Sequence, residues 1–197
     1  MKLINRKSLL WSLTALVFLS ACSGGSGGAK KAVEQYLGAL QGGDFATLYE
    51  LNATTQKKVA LIYRGAEETR EAALKKNFEK YKAMFAEAEA DSRLWSEKFL
   101  FPSDATFTVK VAVEDDKEQG TARFKDRKIA VAEIKVTYAS KEKAPDLGSG
   151  KLKTAVFTSN FINGYDVVKG IKRKDEIKIS EWLFKSIRVK KGEVTTW

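Results

Sequence analysis

Apolar residues recur every three to four positions through the first half of this chain and every second position through the rest, with the change near Pro102. Val33, Tyr36, Leu37 and Leu40 stand at i, i+3, i+4 and i+7, which predicts an amphipathic helix beginning near Ala29 and ended by Gly42-Gly43. Asp44 is placed to cap a second short helix presenting Phe45, Leu48, Tyr49 and Leu51. Thr54 or Thr55 is expected to cap a third piece, carrying Val59, Leu61, Ile62 and Tyr63 before Gly65 breaks it. A longer helix is predicted from about Glu67 to Ala90, with Leu74, Phe78, Tyr81 and Phe85 as its apolar stripe.

Beyond Pro102 the alternation is that of half-buried strands. Phe107, Val109, Val111 and Val113 alternate with Thr106, Thr108 and Lys110. In the next strand Ile129 and Val131 are followed by Ile134, Val136 and Tyr138, so the apolar parity flips around Ala132-Glu133, and a β-bulge there would restore the inward face. Ala144 to Gly150 is expected as a loop, Leu152 to Ile162 as a strand, and Asn163-Gly164 as a hairpin turn. The final strands are expected over Tyr165 to Ile171 and Ile177 to Val189, with a second parity flip between Ile179 and Trp182. Helices first and a bulged antiparallel meander afterwards predict an α+β fold.

Ahead of these elements lies a different pattern. Lys2, Arg6 and Lys7 form a basic stretch, Leu9 to Leu19 an apolar run, and Leu19-Ser20-Ala21-Cys22 places small residues before the sole cysteine. The stretch from Leu9 to Ala21 is interrupted by Ser12, Thr14 and Ser20 and falls short of the ~20 apolar residues that span a bilayer, which disfavours an uncleaved transmembrane anchor. This segment resembles a bacterial lipoprotein precursor. The resemblance implies a signal peptide over residues 1–21 and lipidation of Cys22, by a diacylglyceryl thioether with an N-acyl (palmitate-type) chain possible. Residues 22–28 would then be the lipidated cysteine and a Gly/Ser tether of about 15 Å r.m.s. span, and residues 29–197 the folded domain. By analogy with Gram-negative lipoproteins, Ser23 permits transfer to the periplasmic face of the outer membrane.

Composition narrows the chemistry. The chain of 197 residues contains no histidine and one cysteine. Zinc hydrolysis and Ser-His-Asp and Cys-His nucleophile systems need the histidine this chain lacks, and with its sole cysteine expected to carry lipid, thiol redox chemistry and structural disulfides fall away too. No metal or cofactor is expected. The formal charge of +10 is spread over many lysines. Two local clusters, Lys172-Arg173-Lys174 and Arg188 with Lys190 and Lys191, fall on late strands, where they either face anionic headgroups or an acidic partner or else guard a sheet edge against aggregation. Nucleic acid is not an expected partner outside the cytoplasm.

The segment from Ala32 to Leu51, a helix ending in Gly-Asp followed by a short aromatic-led helix, resembles the opening of small lipid-anchored proteins with the NTF2-like (cystatin-like cone) fold. That resemblance implies N-terminal helices packed on a strongly curved antiparallel sheet with a conical cavity between them. Enzymatic members of the superfamily use an Asp with Tyr or an Asp-His pair, and the second is impossible here. Tyr36, Tyr49, Tyr63 and Tyr81 are the candidate pocket lining, and no residue carries over as catalytic. Gly148-Ser149-Gly150-Lys151 lacks the first glycine and the Ser or Thr of a phosphate loop. Glu114-Asp115-Asp116 lacks the ligand spacing of a calcium loop, and Asn52-Ala53-Thr54 is a chance sequon.

The expectation is a noncatalytic, lipid-anchored module binding a small apolar molecule or a protein partner. A carboxylate/tyrosine isomerase- or dehydratase-like enzyme is the alternative, and an envelope scaffold that dimerises through its sheet is the third. A carboxylate within hydrogen-bond reach of a tyrosine in a cavity would favour the enzyme.

Overall fold

A computed structural model describes residues 25–62, 67–115, 127–163, 165–166, 178–179 and 181–197. The chain is α+β, with helices α1 (Ser26–Gly42), α2 (Phe45–Leu51), α3 (Ala53–Ile62) and α4 (Glu67–Ala86) preceding the strands. A 3₁₀ turn over Ser96–Phe99 leads into β1 (Thr106–Asp115), β2 (Lys128–Thr137), β3 (Leu152–Asn163), β4 (Tyr165–Asp166), β5 (Lys178–Ile179) and β6 (Leu183–Thr196). Among the described residues, β1-β2-β3-β6 form an antiparallel sheet in that order, and β4 pairs with β5. Cys22 lies outside the described residues, and among those described no helix is long and apolar enough to cross a membrane.

Helix α1 buries Val33, Tyr36, Leu37 and Leu40, as its period requires, and starts three residues early, so Ser26–Gly28 of the expected tether are helical. Its end is a Schellman closure. Gly43 takes φ 66°, its N–H reaches Leu40 O, and the Asp44 N–H donates to Ala39 O at 2.9 Å. The Asp44 carboxylate then caps α2, accepting from Thr47 N–H at 3.3 Å and from Thr47 Oγ1 at 2.7 Å.

The cap of α3 is Asn52, not Thr54 or Thr55. Its Oδ1 accepts from Thr54 N–H at 2.8 Å, while the buried Thr55 hydroxyl donates back to the carbonyls of Asn52 and Tyr49. Ala60 faces the core and Leu61 is exposed, the reverse of what their sizes imply. Helix α4 ends at Ala86 rather than Ala90. Tyr81 of its stripe is buried, and Leu74, Phe78 and Phe85 are half-buried.

The sheet corrects the strand reading at three places. No bulge interrupts β2, which pairs continuously with β1 and β3 through Ala132-Glu133. Ala130, Ala132, Ile134 and Val136 point inward, and Ile129 and Val131 lie on the opposite face. Two alanines therefore occupy inward positions that side-chain size assigns to their neighbours, in a sheet whose strands β1, β2 and β6 pack against α1. The irregularities fall instead between β3 and β6, at Leu152/Thr154, Ala155/Phe157 and Asn160/Phe161. Finally, among the described residues β3 does not pair with β4, while Gly164 of the expected turn and residues 167–177 of the expected strands lie outside them. The neighbours of β3 are β2 and β6, β4 and β5 pair with each other, and β6 runs on to Thr196.

Candidate functional site

Two tyrosines on adjoining helices organise the polar chemistry. Tyr36 sits mid-way along the sheet-facing stripe of α1. Its hydroxyl donates to Glu97 Oε1 at 2.7 Å and accepts from Asn52 Nδ2 at 3.4 Å. Asn52 is positioned by the α2–α3 junction, where its backbone bridges to Phe184, and Glu97 by the 3₁₀ turn. The Tyr36 ring stacks on Phe184 at 4.3 Å and 12° and meets Phe161 edge-on at 5.8 Å. Tyr36, Asn52 and Glu97 are 1%, 2% and 6% exposed.

This enclosure sets the electrostatics. Burial pushes the Glu97 carboxyl above the usual carboxylate range, against the opposing pull of the Tyr36 hydrogen bond. Burial, reinforced by the Glu97 charge, holds Tyr36 well above the usual phenol value. Two residues before Glu97, Trp95 adopts φ 71°, a left-handed conformation that costs roughly 1–2 kcal/mol for a non-glycine residue. Its fully buried ring is clamped edge-on between Phe45 and Phe85 at 5.8 and 5.7 Å. Its Nε1 finds no acceptor among the described residues. The turn presenting Glu97 is thus held by aromatic packing despite backbone strain.

Tyr49 has other surroundings. With Glu50, Gln56, Val59, Leu74, Lys75 and Phe78 it lines a cleft of about 430 Å³ between α2, α3 and α4, within the range of small-molecule sites. Its ring meets Phe78 edge-on at 5.0 Å and lies 6.1 Å from Tyr81. Asn77 Nδ2 donates to its hydroxyl at 2.6 Å, and Gln56 Nε2 donates to its backbone carbonyl at 2.9 Å. Burial raises the pKa of Tyr49 and of Tyr81, so both stay protonated at neutral pH.

The four tyrosines singled out from the sequence therefore do not share one pocket. Tyr36 is in the sealed core, Tyr49, itself 7% exposed, lines the cleft, Tyr81 is buried beside it, and Tyr63 lies outside the described residues. Lys172, Arg173 and Lys174 also lie outside them. Arg188 is exposed on β6, while Lys190 binds Glu133 at 3.0 Å and Glu193 at 2.6 Å, a pairing that holds the Glu133 carboxyl low.

The Gly148–Lys151 segment is closed to phosphate. Asp146 Oδ1 already accepts from the N–H groups of Gly148 and Gly150 at 2.8 and 3.1 Å, and Lys151 Nζ donates to Ala144 O. Asp115 pairs with Lys128, and Asp116 lies outside the described residues. Among the described residues no group of His, Cys, Asp or Glu is placed to hold a metal ion. Glu97 and Asn52 were not singled out as site residues, and nothing local marks Glu97, whose tyrosine partner is 61 positions away. The chain matches no protein-family model, no curated protein and no solved structure.

Proposed function

We propose that this protein is a lipid-anchored component of a bacterial envelope, tethered through Cys22 to the periplasmic face of the outer membrane. Its NTF2-like domain acts as a noncatalytic binding module for a small apolar molecule. The observation that carries this reading is the contrast between a sealed tyrosine–carboxylate pair and an open aromatic cleft. Tyr36 and Glu97 have the chemistry of a proton-transfer pair, but rings and sheet enclose them, so no substrate atom reaches them. The cleft at Tyr49 and Phe78 offers apolar walls from Val59 and Leu74 with Glu50, Gln56 and Lys75 as its polar lining.

The 2.7 Å Tyr36–Glu97 bond is the observation that favours the second reading, a carboxylate/tyrosine enzyme. It would require the cone to open around α1. The NTF2-like assignment is supported by the helix–Gly-Asp–helix opening and by the interrupted β3–β6 pairing, which bends a sheet as a cone demands.

Two experiments test the proposal. Metabolic labelling with a palmitate analogue should mark the wild-type chain and not Cys22→Ser, and label persisting in the variant would defeat the anchor assignment. Binding of 1-anilinonaphthalene-8-sulfonate to the folded chain should weaken about tenfold or more in Leu74→Glu, because a charge placed on an apolar wall must be desolvated by the ligand. Equal probe binding in wild type and variant would remove the cleft from the reading.

A further inference from the structure

The sheet has two edges, and they are built differently. Among the described residues strand β6 has β3 as its strand partner, besides a single bridge from Asn52 to Phe184, and its pairing with β3 is broken at three places, with Gly192 at φ 81° and Lys185, Arg188 and Lys191 exposed along it. These are the usual devices that stop an edge from recruiting another strand. Strand β1 has few of them. It runs in unbroken register with β2 for ten residue pairs, contains no glycine or proline, and has one lysine. Among the described residues it has no neighbour on its other side. Thr106, Thr108, Lys110, Ala112 and Glu114 are exposed on the outer face, while Phe107, Val109, Val111 and Val113 pack half-buried on the inner one.

A strand added at this edge must place outer-face side chains opposite outer-face side chains. A second copy of β1, antiparallel, satisfies this in a few two-fold registers, and charge separates them. Centred on Lys110, the pairing sets two lysines face to face. Centred on Val111, it sets Lys110 against Ala112 and leaves Glu114 facing Thr108. Centred on Ala112, it sets Lys110 of each copy opposite Glu114 of the other and Val111 opposite Val113, with Ala112 facing itself and Asp115 opposite Val109 at the two ends, so this register alone of the three brings opposite charges together. On β2 the residue opposite Lys110 is Glu133, which is held by Lys190.

We propose that β1 is a self-association edge, pairing antiparallel with β1 of a second copy of this chain about a two-fold axis at Ala112, with Lys110 and Glu114 setting the register. The full chain, solubilised in detergent, should sediment as a concentration-dependent dimer. Lys110→Glu and Glu114→Lys each turn two attractive pairs into two repulsive ones and should weaken dimerisation about tenfold. Combining them restores opposite charges and should recover it.

Under mild oxidant Ala112→Cys should form an intermolecular disulfide absent from the parent chain, because directly opposed residues lie about 4.5–5.5 Å apart between Cα atoms. Thr106→Cys should not, since this register holds its two copies about 40 Å apart. A wild-type monomer across the concentration range would overturn the proposal. So would a dimer indifferent to both reversals, a double variant left monomeric though folded by circular dichroism, or equal cross-linking at 106 and 112.

Discussion

Tyr36 and Tyr49 lie on successive helices, each surrounded by aromatic rings, yet one is closed off and the other walls a cleft. The difference is what covers them. Tyr36 faces the sheet, where the rings of Phe161 and Phe184 tile its surface and Glu97 and Asn52 satisfy its hydroxyl. Tyr49 contacts Phe45, Phe78 and Tyr81, all of them helical residues. A sheet presents a continuous surface that seals a facing helix, whereas three helices meet at ridges and leave a groove between them. A polar pair beneath a sheet is thus closed off, whereas the rings between the helices line a cleft, the feature on which the proposed binding role depends.

The strongest test of this difference is truncation of a ring on each side. Phe161→Ala should destabilise the chain by about 3–5 kcal/mol, the cost of an unfilled cavity in a packed core. Phe78 is only half-buried at the cleft wall, so Phe78→Ala should cost about 2 kcal/mol. Urea unfolding midpoints at unchanged m-value measure both. Equal losses would mean that the cleft is as closed as the core.

A smaller effect comes from the sealed hydroxyl. Tyr36→Phe removes the donor to Glu97 and should cost about 1–3 kcal/mol. The loss should be greater at pH 8 than at pH 5, because the stranded group is then a charge. An identical cost at both values would indicate that Glu97 stays neutral throughout.

The pH dependence itself has a definite sign. Burial raises the folded-state pKa of Glu97 above its unfolded value, so the stability it contributes is fully present below the ordinary carboxylate range. That contribution is lost as pH rises through the raised folded-state value. Glu97→Gln cannot ionise and still offers Tyr36 an oxygen, so its stability should fall less than that of wild type between pH 4 and pH 8. Parallel stability curves for the two proteins would contradict the burial argument.

The smallest expected change is Tyr49→Phe. It keeps the ring and deprives Asn77 of a half-buried acceptor, costing about 0.5–1.5 kcal/mol. Affinity for an apolar probe should stay within about twofold if the walls bind by apolar contact. A large loss of affinity would show that the hydroxyl, rather than the ring, recognises the ligand.

Much of this architecture is legible in local sequence. The sheet-facing stripe of α1, its arrest at Gly42-Gly43, the Asp44 cap and the change of period that makes the fold α+β all depend on residues within a turn or two of each other. Local rules determine them because the relevant forces, backbone hydrogen bonding and side-chain spacing, act locally. The inward face of β2 is another matter. Ile129 and Val131 are the larger residues, but Ala130 and Ala132 point inward, because unbroken pairing with β1 and β3 keeps them in the same parity as Ile134 and Val136. The irregular pairing fell between β3 and β6 rather than in β2, where parity alone placed it. Tyr36 and Glu97 are 61 residues apart, and their 2.7 Å bond exists only once helix, turn and sheet have met. The sequence by itself determined the kind and order of the elements and stops such as Gly42-Gly43, while the start of α1 at Ser26, the end of α4 at Ala86 and the run of β6 to Thr196 departed from its pattern. Which tyrosine came to lie against the sheet and which to line a cleft was decided by tertiary packing, since burial is a property of what lies across the gap.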